Sequence, residues 1–308
     1  MFRDGIPARQ LSAWLAAGMI PVLIQLLSGT SWVWVFLGGA ASTAITLTVW
    51  RFGAEEYPRW LRVLQMLFAV IFLGEMSAKA GGCWPAGNST AVSLILIALA
   101  MWSAQKGLSA AARVGSVLFW FVIIMYMVVF GAGAKDIDPK WLKPDSGAGN
   151  LLGLALLLLP CGVSVLLRRQ ARWGVRLVLP AVFALAAALI TAGVLSPELA
   201  VAAEDPFYEM GRSLSLLGIA RRFEAIISAG MTVGWFALIS LLLALCGKLF
   251  ACIYEDKGRA GVWIGAVLSS LWLLCGMHIG DLIIAILAAV FWVVLPILTQ
   301  GIDKQKKS

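Results

Sequence analysis

Charge is scarce in this chain. Only 13% of its 308 residues are Asp, Glu, Lys or Arg, and 61% are hydrophobic, against about 25% charged and roughly 45–50% apolar in soluble domains. Histidine is scarcer still: His278 stands alone, so a histidine-rich metal site cannot be built and a Ser-His-Asp relay would hang on one ring. Cysteine pairs are missing as well. Cys83, Cys161, Cys246, Cys252 and Cys275 are dispersed with no CxxC spacing, which leaves them as small apolar packers rather than a metal knuckle. No apolar run carries a clustered His, Asp, Glu or Ser-Lys set. An enzyme is not expected, and neither is a cofactor or a metal.

What the chain has in abundance is apolar runs of membrane-crossing length, about 18–25 residues. They fall near 10–28, 31–50, 60–80, 88–105, 111–133, 149–167, 174–196, 223–247, 260–277 and 279–299. The expected fold is an all-α polytopic membrane protein of about ten helices, forming one transmembrane domain over 1–308. The shortest connections, at Gly29-Thr30 and around His278, predict helical hairpins between spans 1 and 2 and spans 9 and 10. The amino-terminal stretch holds Arg3, Asp4 and Arg9 without a small-residue cleavage site, so the first span is expected to be retained.

Net charge is +8, but the basic residues sit in short clusters between apolar runs, a pattern that points to loop orientation and not to nucleic acid. With the amino terminus inside, 17 of the 24 Lys and Arg residues fall in cytoplasmic segments and seven outside, as the enrichment of cytoplasmic loops requires. Both termini, including the short tail 300–308, are expected on the cytoplasmic side. Two longer outer segments stand apart, 133–149 and 196–222. In the second, Phe207, Met210, Leu214 and Leu217 recur at helical spacing, predicting a short helix lying in the membrane interface.

Ten spans divide into two fives, a first repeat of about 10–133 and a second of about 149–299. In inverted-repeat transporters the first helix of each half is broken near the midplane, and the freed backbone groups bind substrate or ions. Span 1 carries Gly18-Met19-Ile20-Pro21 and span 6 carries Pro160-Cys161-Gly162, corresponding positions in the two halves. Proline removes an amide donor and crowds the preceding turn, so each is a predicted break. The candidate ligand-binding residues are therefore Gly18, Pro21, Pro160, Cys161 and Gly162, with Gly230, Thr232 and Gly234 of span 8 as neighbours. Glu75 of span 3 joins them, because an ionisable group inside a span is a functional candidate by default. Lys79, four residues on, also offers Glu75 a simple pair on one helix face. Asp281 and His278 read as a pair in the last outer turn.

Two stretches resemble a known family. Gly107-Leu108-Ser109-Ala110-Ala111-Ala112-Arg113 is similar to a Gly-Leu-Glu-x-x-Ala-Arg segment, with Ser109 in the acidic place. The stretch from Asp205 to Leu241 holds Pro206, Glu209, Arg212-Ser213, Arg222-Phe223-Glu224-Ala225-Ile226 and Phe236-Ala237-Leu238-Ile239-Ser240-Leu241. It resembles the spore germination permeases, the integral-membrane B subunits of nutrient germinant receptors in endospore-forming bacteria. Met231 and Leu238 depart from residues common in that family. The resemblance implies the amino acid-polyamine-organocation superfamily and its inverted-repeat fold. It also implies a small nutrient ligand such as an amino acid, receptor A and C subunits as partners, and the spore inner membrane as the location. Arg113, Arg222 and Glu224 become structural or partner-contact positions, Glu224 fixing span 8 against the outer helix. A secondary amino acid transporter of the same superfamily is the alternative.

Overall fold

The computed structural model describes residues 6–51, 57–82, 88–142, 150–166, 175–203, 205–214, 224–254 and 257–299. Among them the regular structure is helical, without a strand. In chain order the helices are α1 (Ala8–Leu27), α2 (Trp32–Arg51), α3 (Arg59–Gly81), α4 (Ser89–Gln105), α5 (Leu108–Gly133), α6 (Leu151–Leu156) and α7 (Leu159–Gly162). They continue with α8 (Leu179–Leu195), α9 (Pro197–Ala202), α10 (Pro206–Ser213), α11 (Glu224–Ile253), α12 (Gly258–Leu274) and α13 (Asp281–Ala289). Six stretches are long and apolar enough to cross a membrane: α1, Trp32–Val49, α3, Leu108–Asp136, α11 and Asp281–Thr299. Four shorter apolar stretches, α4, Leu151–Leu166, α8 and α12, occupy the other expected runs.

Two helices make the centre. The share of residues buried inside the protein is 83% along the apolar stretch of α1 and 72% along α11, but 28% along both Trp32–Val49 and Asp281–Thr299. A helix apolar on every face belongs where neighbours surround it. Accordingly α1 packs against α5, α8 and α11, and α11 packs against α1, α3, α4, α5 and α12. The peripheral α2 leaves Trp34, Phe36 and Leu47 uncovered, as suits a helix facing hydrocarbon.

The expected break in span 1 does not occur: α1 runs unbroken from Ala8 to Leu27 with Pro21 inside it. The reason lies in what faces it. A Cβ on Gly234 of α11 would come within 2.5 Å of the Pro21 ring, and one on Gly18 within 2.8 Å of the Leu238 amide nitrogen. Small residues let the two backbones close up, the means by which membrane helices gain packing energy. The proline ring thus has a seat, and the lost amide is tolerated. Two tryptophans tie the crossing from opposite sides: Trp14 Nε1 donates to the Ala237 carbonyl at 3.1 Å, and Trp235 Nε1 to Gln25 Oε1 at 2.9 Å.

Span 6 is interrupted. α6 stops at Leu156, residues 157–158 form a turn, α7 runs only to Gly162, and Val163–Leu166 is a 3-10 turn. Pro160 cannot donate to Leu156, and the Cys161 amide goes instead to the Leu158 carbonyl at 3.0 Å. The i+3 bonding tightens the chain where a continuous helix would need an amide that proline lacks. At its end, the Leu166 carbonyl accepts from Ile6 at 3.0 Å, closing span 6 on the start of the chain.

The outer helix α10 differs from its expected setting. Its apolar residues Phe207 and Met210, with Leu214 beyond its end, are buried, and Phe207 packs on Tyr126 and Phe130 of α5 with ring centroids 5.8 and 6.1 Å apart. The apolar face turns into the protein, because α5, α8 and α11 offer it a side-chain surface. Asp205 caps the helix by accepting from the Tyr208 amide at 3.1 Å. The runs expected as spans 9 and 10 divide at residues 275–280, between Leu274 and Asp281.

Candidate functional site

The residues proposed from sequence separate into three places. Gly18, Pro21 and Gly234 make the α1–α11 crossing described above, where the backbones leave no room for a ligand. Gly230 belongs to the same kind of packing: a Cβ there would overlap the Met125 methyl of α5. Thr232 donates to the Ser228 carbonyl of its own helix at 2.8 Å, the ordinary resolution for a hydroxyl in an apolar helix.

Pro160, Cys161 and Gly162 do come together at the break in span 6. The Cys161 thiol lies 3.3 Å from the Thr46 hydroxyl of α2. Gly162 lies under the indole of Trp292, which a Cβ would meet at 2.6 Å. Trp292 is held edge-on by Phe68 and Phe72, each with centroids 4.9 Å away. It also sits in a π-helical stretch, Val290–Val294, where widening of the helix loosens its own hydrogen bonding. Gln65 of α3 answers this by donating from Nε2 to the Phe291 carbonyl at 3.3 Å. A break in one span therefore faces a bulge in another, with Gly162 and Trp292 between them.

Beside the break is a cavity of about 70 Å³. Ser42, Thr43 and Thr46 of α2 supply its hydroxyls, Leu157 and Pro160 come from the break, and Met19 comes from α1. Ser42 and Thr43 already donate to the Gly39 carbonyl at 3.0 and 2.8 Å, so what they turn toward other groups is lone pairs. No charged side chain lines the cavity. Its lining is mostly apolar, with the α2 hydroxyls as its polar part, so it suits a small uncharged group. Ligand pockets for small molecules run from about 300 Å³ upward, so a solute would need the cavity to widen.

Glu75 is elsewhere, near the carboxyl-terminal end of α3. Its side chain is 1% exposed and carries three donors. The Ile279 amide reaches Oε1 at 2.7 Å, Trp272 Nε1 reaches the same oxygen at 3.3 Å, and His278 Nδ1 reaches Oε2 at 2.9 Å. A buried carboxylate needs such charge-assisted bonds, since leaving it bare costs several kcal/mol. Sequence reasoning set Glu75 beside Lys79 and His278 beside Asp281, and missed the pairing of Glu75 with His278. Scarcity was the available signal: the single histidine and one of the few carboxylates within the apolar runs are natural partners.

Arg113 is exposed on the first turns of α5. Glu224 opens α11 and pairs with Arg212 Nε at 3.6 Å, while Arg212 Nη1 reaches Glu209 at 3.2 Å. Three positions of the 205–241 stretch thereby form one ion-paired link between α10 and α11. Arg222 lies outside the described residues. Among the described residues no three His, Cys, Asp or Glu side chains come together to hold a metal. The chain matches no protein-family model and no curated protein sequence.

Proposed function

We propose that the chain is the permease-like subunit of a spore germinant receptor, in which a small nutrient of the amino acid class binds inside the membrane and signals through A and C partner subunits. The observation that carries the binding part is the interruption of span 6 at Leu157–Pro160, opening on a cavity floored by the hydroxyls of α2. The receptor part rests on the residues of the 205–241 stretch. On this reading ten spans cross the bilayer in two inverted sets of five, and the present arrangement is closed. A nutrient acts by favouring a wider arrangement, which it can do only through a difference in affinity between the two.

Thr46→Val tests this, since it removes a hydroxyl while keeping side-chain shape. Spores lacking the gene should lose their response to one nutrient, and a wild-type copy should restore it. The Thr46→Val copy, at equal abundance in the membrane, should require at least tenfold more nutrient. Unchanged germination of the null strain with every nutrient rejects the receptor reading and leaves secondary transport of an amino acid, to be read as uptake into vesicles.

A further inference from the structure

We propose that Glu75 and the turn at residues 275–280 form a releasable latch, which holds the ends of α12 and α13 shut against α3 on the side expected to face outward. All three donors to Glu75 come from one short piece of chain. Trp272 is in the last turn of α12, and His278 and Ile279 lie in the turn itself.

Apart from Ile279, which packs against the apolar core, little else holds that turn. Residues 277–280 have no regular structure, and Leu274, Cys275, Gly276, Met277, His278 and Gly280 are exposed. Gly276 takes the left-handed φ of +61° that lets the chain leave α12, a conformation open mainly to glycine. The Gly276 and Met277 amides close the helix end on Leu273 and Trp272 at 3.1 Å each. Beyond that point the Glu75 carboxylate supplies the anchor.

The two ends of the latch are unequal, and this makes it switch-like. The His278 side chain is 59% exposed while Glu75 is 1% exposed, so the histidine can turn into water at little cost and the carboxylate cannot. Turning His278 out alone leaves Oε1 with its two donors, whereas displacing the turn while Glu75 stays dry would leave the buried side chain short of them. The stable alternatives are therefore full engagement, or a displaced turn with water admitted to Glu75. The latch does not depend on the nutrient-receptor reading.

Hydrogen exchange of the full-length protein in lipid nanodiscs reads the latch directly, through the amides of 275–281. Glu75→Gln keeps the size of the side chain and removes its charge; it should speed exchange of this stretch at least tenfold, the scale of a charge-assisted bond. Gly74→Ala supplies an independent route, because its Cβ would stand 2.7 Å from Trp272 Cγ and displace that indole; it should speed the same amides. Glu75→Gln combined with His278→Gln should exchange no faster than Glu75→Gln alone. Rates within twofold of wild type for Glu75→Gln would overturn the proposal. So would acceleration that extends equally to α1 and α11, or additive effects in the double variant.

Discussion

At the scale of single residues, the α1–α11 crossing gives glycine a purpose that differs from flexibility. Gly234 is where it is because the Pro21 ring occupies the space a side chain would take. Gly234→Ala should lower thermal stability in detergent by about 1–3 kcal/mol, the usual cost of overpacking. Adding Pro21→Ala should recover part of that loss, because the ring that clashes is gone. A double-mutant cycle of thermal unfolding measures the recovery, and strictly additive losses would refute the contact. This contact also shows why the sequence was read wrongly at span 1. Gly and Pro within an apolar run signal either a break or a seat for a close neighbour, and the neighbour's identity, more than two hundred residues away, decides which. At Glu75 the missing information was smaller. The composition already held one histidine, and the cost of an unpaired buried carboxylate is enough to suggest joining the two.

At the scale of elements, α6 and α7 are two pieces of one apolar run for a chemical reason. Leu159 and Pro160 open α7 just after the turn at 157–158, and the missing proline amide keeps the pieces from fusing. Pro160→Ala returns a donor and should lengthen α6 into α7, with stability unchanged or raised, since proline costs a helix interior about 3 kcal/mol. If the break serves binding, the nutrient response should fall at least tenfold while membrane abundance holds. Retained response with a continuous helix, seen as slowed exchange across 156–163, would remove the break from the mechanism. This break was legible in advance because the proline, cysteine and glycine that make it are contiguous. The setting of α10 was not. Its spacing of Phe207, Met210 and Leu214 marks an apolar face, but period alone does not say whether lipid or protein covers that face. Here α5 and α8 do.

At the scale of the whole molecule, composition and hydropathy located every apolar run that the structure makes helical, because membrane length is a one-dimensional property. The packing order is three-dimensional and was hidden. Nothing in the order of the runs announces that the first and eighth should meet at the centre while the second stays outside. The proposal of ten crossings with both termini inside leads to a specific labelling pattern. With the five native cysteines replaced by serine, in right-side-out membranes Asp145→Cys should react with an impermeant maleimide before lysis, and Lys304→Cys only after it. Reaction of Lys304→Cys before lysis would reduce the count to an odd number.

The reciprocal tryptophan bonds of the central crossing also bear on how the protein is made. Trp14 must wait for Ala237, 223 residues later, and Gln25 waits 210 residues for Trp235. At about 5–20 residues per second, the ribosome needs on the order of 10–45 seconds to deliver those partners. During that interval α1 can meet α5, its other main neighbour, but not α11. The α1–α11 crossing at the centre of the protein thus closes late in synthesis, on a pairing of α1 and α5 that can form well before it.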